Sequence, residues 1–351
     1  MNLTTPSTFH ADSFLLTGVT GFLGSEVFCR LARTAGLGRL VCLVRKVPKA
    51  GSIFHRRLVE HGLEAEFSRI RFVETDFSST EGLADALDRA TKLLMTGQKF
   101  VVVHMAAIIH AKGAEEKREQ HRLNIEVTDE LLEWSAQLAS HFVYISSVVA
   151  FGATLCKSKL RDEDDFVNFP WVSKFFSYYT SKRESHLRVS RQAQIPVTLV
   201  CPGIIHGSLE LEKSSRKHLQ YLREGKLKLA PSGSANFVGL DRTAQSVVHA
   251  ALLVPEGRLQ TLLVIDENLR FVDYFNLYVR LARGAQAQRV RRLPKVLGLV
   301  AIALHIVLAK FGVHVGILET LSQGSLHLNF ESKHKLAPTE GLEANLKHSL
   351  P

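Results

Sequence analysis

Cysteine is scarce in this chain, and its placement serves no structural task. Cys29, Cys42, Cys156 and Cys201 are scattered and form no C-x-x-C pair. That excludes a disulfide framework and a zinc finger. Cys42 and Cys201 lie inside apolar, strand-like runs and read as reduced core residues. Low-complexity tracts and internal repeats are also absent, so a solenoid is excluded. The N-terminus carries no charged-then-apolar leader, so a cytoplasmic location is expected. No clustered His, Cys, Asp or Glu pattern calls for a metal. Neither zinc-finger spacing nor an RNA-recognition signature accompanies the net charge of +10, and no nucleic-acid partner is expected. The basic residues gather at 280–283 and 289–295, which reads as a solvated basic face.

What remains is ordinary globular material. With 351 residues, 46% apolar and 22% charged, the chain suffices for one large α/β unit with a smaller lobe. Over the first two hundred residues, short apolar runs alternate with longer amphipathic ones. Strands are predicted at Phe14–Gly18, Leu40–Arg45, Ile70–Glu74, Phe100–Met105, Phe142–Ser146 and Val197–Cys201. Helices are predicted near Leu23–Thr34, Leu83–Leu94, Asn124–Leu138 and Tyr178–Gln192. Such alternation implies a Rossmann-type, doubly wound parallel sheet covered by helices on both faces, with ligands beyond the carboxyl ends of the strands. Residues 1–203 would form this domain with its catalytic residues. Residues 204–351 would form a smaller substrate lobe, with 262–266 returning to the main sheet and 208–234 lining a substrate cleft. Asp241 is placed as the N-cap of a later helix.

The first predicted strand runs into Thr17-Gly18-Val19-Thr20-Gly21-Phe22-Leu23-Gly24. The G-x-x-G-x-x-G spacing suits a strand, a tight turn and a helix whose N-terminus points at a diphosphate. Gly18 permits the turn, Gly21 lets backbone N–H groups approach the phosphates, and Gly24 lets the helix pack on the strand. Thr20, Phe22 and Leu23 belong to the same loop and are counted as cofactor contacts. Arg45 follows the second strand, where an acidic residue would take the ribose hydroxyls of NAD. An arginine there, beside Lys46, favours the 2′-phosphate of NADP(H); the bland alternative is an exposed basic turn. Asp76 ends the third strand, placed to accept from an adenine amino group with Phe77 beside the ring, or simply to form a turn. Ala106 and Ala107 close the fourth strand and would admit the nicotinamide ribose. The neighbouring His104 reads as a core histidine. Asn124 either fixes backbone under the site or caps its helix.

The fifth strand ends in Ser146-Ser147, and thirty residues on stand Tyr178-Tyr179-Thr180-Ser181-Lys182. Tyr178 and Lys182, four apart, share one helix face. A free phenol titrates at about 10, and a neighbouring ammonium lowers that value until the phenol can exchange a proton with a carbonyl oxygen. A serine hydroxyl on the adjacent strand end can steady the charge on that oxygen.

Together these features resemble the extended short-chain dehydrogenase/reductase family over residues 12–245. The resemblance implies Ser147, three residues before Ala150-Phe151-Gly152, as the catalytic serine, and Tyr178 over Tyr179 as the catalytic tyrosine. It implies that Lys182 also holds the nicotinamide ribose, and that Pro202 and Gly203 border the carboxamide. Leu-Thr-Gly-Val-Thr-Gly-Phe-Leu-Gly, Cys-Leu-Val-Arg and His104 are most similar to the thioester reductase and fatty acyl-CoA reductase branch. The segment 108–120 and Arg183-Glu184 depart from that branch. The implied activity is NADP(H)-dependent oxidoreduction of a carbonyl, alcohol or acyl thioester on a small hydrophobic substrate. The alternatives are a sugar-nucleotide epimerase or dehydratase and a non-catalytic NADP-sensing regulator. A homodimer is implied by resemblance alone.

One run stands apart. Val296–Ala309 is apolar nearly all round, and its fourteen residues span about 21 Å as a helix, short of a bilayer's hydrocarbon core. It is either a buried helix of the substrate lobe or an interfacial segment, with residues 289–311 making peripheral contact with a membrane.

Overall fold

The computed structural model describes residues 11–350 except 95–98, 110, 112, 157–159, 210–216, 254, 256, 314, 335–340 and 349. In chain order the first half reads β1 (Ser13–Thr17), α1 (Phe22–Leu31), β2 (Leu40–Val44), α2 (Ile53–Glu60), β3 (Arg71–Glu74), α3 (Thr80–Leu93), β4 (Phe100–His104), α4 (Ala114–His121), α5 (Val127–Leu138), β5 (His141–Ile145), α6 (Ser177–Gln192) and β6 (Val197–Pro202). The second half adds β7 (Ile204–His206), α7 (Lys217–Arg223), β8 (Leu229–Ala230), β9 (Ser234–Gly239), α8 (Leu240–Leu252), β10 (Leu259–Val264), β11 (Glu267–Arg270), α9 (Phe271–Arg283), β12 (Arg291–Arg292), α10 (Lys295–Lys310), α11 (Gly316–Ser325) and α12 (Leu342–His348).

Seven strands form one parallel sheet in the order β10-β6-β5-β4-β1-β2-β3. Every residue of β1, β2, β4, β5 and β6 is buried, because helices cover both faces. The strand order turns back between β1 and β4. A crevice opens there at the carboxyl ends, where a parallel sheet binds its ligands. The glycine loop lies at that point.

Residues after Gly203 serve both layers. Helix α8 packs on α1, and β10 pairs with β6 at the edge of the main sheet. The rest builds a second lobe, with a small sheet ordered β11-β9-β7 and a short β12-β8 pair. Within the expected cleft segment, 210–216 fall outside the described residues. Asp241 is not the N-cap of α8. The cap falls on Gly239, whose N–H is taken by the Asp266 carboxylate at 2.7 Å, and Asp241 sits in the first turn, paired with Arg30 of α1.

Helix α10 is not the buried helix that its composition suggests. It packs through a narrow stripe of Gly298, Ala301, Ile302 and His305. A Cβ at Gly298 would stand 2.7 Å from both the Ser232 and Ser325 hydroxyls, so the helix rides close on the lobe along this line. Val296, Leu297, Leu299, Val300, Leu304 and Val307 are exposed, whereas Ile306 packs half-buried against the core. No helix among the described residues is long and apolar enough to cross a membrane.

Candidate active site

The glycine loop is built by contact distances. Gly18 has φ +71°, and a Cβ there would stand 2.6 Å from the Ala106 backbone nitrogen. A Cβ at Gly24 would collide with the Gly18 carbonyl oxygen. Loop, strand β4 and helix α1 therefore touch backbone to backbone. Gly21 caps α1 and is exposed with Thr20, whereas Phe22 is buried and Leu23 half-buried. The first turn of α1 carries no acidic side chain, so its N–H groups face the crevice without a competing anion. This cradle fits a dinucleotide diphosphate.

A cleft of about 540 Å³ opens beyond β2 and β3, lined by Arg45, Lys46, Glu74, Thr75, Asp76, Gly82, Asp85 and Arg89. Arg45 is largely exposed, and its contact with Glu119 is 3.4 Å long. Arg89, which the sequence reading did not single out, bonds Asp85 and the Glu74 carbonyl. The Asp76 carboxylate accepts from both the N–H and the hydroxyl of Ser78, which hold its pKa below the usual range. Phe77 does not line the cleft: it is buried in the core beneath it.

Across the sheet, Thr17, His104 and Tyr144 stand in register on β1, β4 and β5. The Thr17 hydroxyl lies 2.7 Å from His104 Nδ1, and His104 Nε2 lies 3.0 Å from the Thr128 hydroxyl. Thr128 donates to the Asn124 carbonyl, so it accepts from Nε2–H, and Nδ1 accepts from Thr17. Burial, with the Lys182 charge adding to it, pushes His104 down to about 3, which keeps the ring neutral. Asn124 lies in a wide helical turn before α5. Its amide accepts from the Ile108 N–H and donates to the Ile108 carbonyl, each at 2.8 Å, and so fixes the backbone after Ala106-Ala107. From α6, the Ser185 hydroxyl bonds the Asn124 carbonyl. One buried polar row thus ties the glycine loop to α6. The spacing of Asn124 and Thr128, four apart on one helix face, is the signal that could have disclosed it.

Helix α6 and the end of β5 bring Ser147, Tyr178 and Lys182 together. The Ser147 hydroxyl faces the Tyr178 phenol closely enough to act on its titration, and it reaches the Pro202 carbonyl at 3.4 Å. Ser146 is engaged elsewhere, 2.9 Å from His186 Nδ1. Lys182 does not depress Tyr178 as the sequence led us to expect. Its ammonium donates to the Ile145 carbonyl at 2.8 Å, reaches the Tyr144 hydroxyl at 3.4 Å and sits over the Tyr144 ring. Burial therefore governs the phenol and pushes it up to about 12, with Ser147 pulling weakly the other way. Burial likewise pushes Lys182 down to about 8. Tyr144, which underlies the lysine, was not foreseen. Gly203 follows β6, where its N–H donates to the Val264 carbonyl and a Cβ would strike Asn236.

A parallel sheet with a glycine cradle at its switch point, and a serine, tyrosine and lysine converging beside it, defines an extended short-chain dehydrogenase/reductase. The chain belongs to that group: the family described as male sterility protein, a family of NAD-binding domains, matches residues 16–231. Solved structures with the same fold include gox2253, with 22% identity, 96% of both chains covered and a TM-score of 0.71. The terminal R domain of the myxalamid PKS-NRPS pathway has 18% identity, covers 97% of this chain and 90% of its own, and gives a TM-score of 0.69. UDP-glucuronic acid 4-epimerase from Bacillus cereus, solved with NAD, has 17% identity, covers 96% of this chain and 94% of its own, and gives a TM-score of 0.64. Sequence comparison with curated proteins gave no match.

Proposed function

We propose that this protein is an NADP(H)-dependent reductase of a carbonyl group on a hydrophobic substrate, with an acyl thioester, an aldehyde and a ketone as the substrate classes. What supports the reading most is that α6, which carries Tyr178 and Lys182, is bonded through Lys182 to the end of β5, where Ser147 acts on the phenol. When bound, a reduced nicotinamide supplies hydride to the carbonyl carbon. The protein's part is the oxygen. The Ser147 hydroxyl donates to it and orients it, and the Tyr178 phenol gives it a proton as charge develops. A phenol held high by burial is fully protonated at neutral pH, which suits reduction, where the group must arrive as an acid. Lys182, tethered to Ile145, would offer donors for ribose hydroxyls. Gly18, Thr20, Gly21, Phe22, Leu23 and Gly24 would hold the diphosphate. Asp76 would take the adenine amino group. Ala106, Ala107, Pro202 and Gly203 would border the nicotinamide half.

Support for the 2′-phosphate comes from Arg45, Lys46 and Arg89, three cations around one cleft. The Bacillus cereus epimerase shares the fold and was solved with NAD, so the choice between the two cofactors falls to Arg45 and Lys46, since Arg89 is paired with Asp85. The test follows reduced-nicotinamide absorbance with a panel of acyl-CoAs, aldehydes and ketones, in parallel with NADPH and NADH. We expect NADPH to be consumed with at least one long-chain member, and Tyr178→Phe to abolish it. Turnover that survives the phenylalanine removes the proposed acid. A UDP-sugar epimerised with no net change in absorbance replaces the reading altogether.

A further inference from the structure

Among the described residues, ten of the twenty-one exposed large hydrophobic side chains fall within residues 296–317, on α10, its following turn and the start of α11. Val296 and Phe311 are 68% and 78% exposed, and Leu299, Val300, Leu304 and Val307 about half. A surface helix normally buries its apolar stripe and shows water a polar face. Here the buried stripe is the one that contains glycine, alanine and histidine, and the face turned away from the protein is aliphatic. Patches of this kind mark an interaction site.

The charges around the patch select the occupant. Residues 284–318 contain Arg289, Arg291, Arg292, Lys295 and Lys310 and no aspartate or glutamate. Arg289, Arg291 and Lys295 are exposed at one end of α10, and Lys310 is exposed at the other. A second copy of the chain, pairing this face with itself, would bring cations against cations at either end, and the nearest acid in sequence, Glu319 of α11, is already bonded by Gln323. An anionic lipid surface meets both demands, with headgroup phosphates for the terminal cations and acyl chains for the leucines and valines between them. The sixteen residues of α10 measure about 24 Å, a length that lies in the interface rather than crossing it. We infer that α10 and the start of α11 dock this protein in-plane on an anionic membrane.

The docked helix is mechanically joined to the catalytic one. His305, on the buried stripe, stacks on Phe176 at 4.9 Å and 9° and lies 3.2 Å from the Phe175 carbonyl. Phe176 caps α6, two residues before Tyr178. Docking would therefore bring the N-terminal end of α6 to the lipid surface. The docking itself stands independently of the proposed chemistry.

The test is flotation of the purified full-length protein with vesicles of phosphatidylcholine alone or with one-fifth phosphatidylglycerol. We expect the protein to float with the anionic vesicles and to remain below with the neutral ones. The double variant Leu299→Glu/Leu304→Glu should lose binding roughly a hundredfold, because two half-exposed leucines no longer enter the acyl region. Arg291→Gln/Lys295→Gln should lose about tenfold and much of its salt sensitivity. Circular dichroism of each variant checks the fold, and none of these side chains touches the site. Failure to float with anionic vesicles overturns the inference. So does flotation unchanged in both variants. A soluble dimer that the glutamate pair splits into monomers would give the face to a second copy and overturn it equally.

Discussion

Helices α6 and α10 are both sixteen residues long and bury opposite chemistries. On α6 the buried positions are Tyr179, Ser181, Lys182, Ser185, His186 and Val189, mostly polar. Those groups survive inside because each has a partner: Lys182 holds Ile145, Ser185 holds Asn124, and His186 meets Ser146. On α10 six large aliphatic side chains stand in the open, and a histidine lies inside with Ile302 and Ala301. A buried ammonium with no carboxylate against it among the described residues and a row of exposed leucines and valines are both costly, and a chain keeps such departures where function needs them. The two departures coincide with the two surfaces proposed above, one for chemistry and one for contact.

Tyr178→Phe should sharpen it most. Turnover should fall by about 10²–10⁴-fold, the range for a lost general acid, while reduced-nicotinamide binding by fluorescence titration stays as it was. Gly18→Ala comes next. It forces a side chain into a left-handed backbone against the Ala106 nitrogen and should cost roughly 1–3 kcal/mol in urea unfolding, with loss of cofactor affinity.

Lys182 tests the cost of the polar interior through pH. Its value falls from 10.5 to about 8 on folding. Below pH 8 both states carry the proton and the folded chain bears the whole cost of a buried ammonium. Between about 8 and 10.5 the unfolded chain binds more protons, so stability rises with pH. From pH 7.5 to 9.5 the rise attributable to this group should be about 2 kcal/mol, and Lys182→Met should lack it. A variant that keeps the same slope would show that the lysine is not paying for its burial. Arg45→Gln should raise the Kd for NADPH about tenfold and leave NADH alone, the modest size reflecting an exposed guanidinium. The smallest change is expected on the outer face of α10, where Leu304→Gln should move stability in solution by no more than about 0.5 kcal/mol. His305→Ala, one position inward, should cost about 1–3 kcal/mol. Equal losses at 304 and 305 would break the contrast between the two faces.

The main sheet was legible because a parallel strand buried on both sides is mostly apolar, and β1, β2, β4, β5 and β6 are apolar but for Ser13, Thr17, His104, His141 and Thr198. The glycine loop was legible for a steric reason, since no other residue clears the contacts at 18 and 24. Elsewhere a pattern in the letters could not give a direction in space. Phe77 sits beside Asp76 but turns into the core. Lys182 shares a helix face with Tyr178, yet its flexible chain finds the Ile145 carbonyl. Helix α10 has no polar stripe, so nothing in its sequence says which side faces water. The pairing of Asn124 with Ile108 and of Thr17 with His104 joins residues far apart in the chain, and only the closed sheet brings them together.

Gly18 and Gly24 press against backbone rather than against side chains that could rotate away. Directed evolution of this scaffold should therefore hold both codons fixed. Any library that samples them will fill with inactive clones whatever substrate is screened, and their failure will carry no information about selectivity.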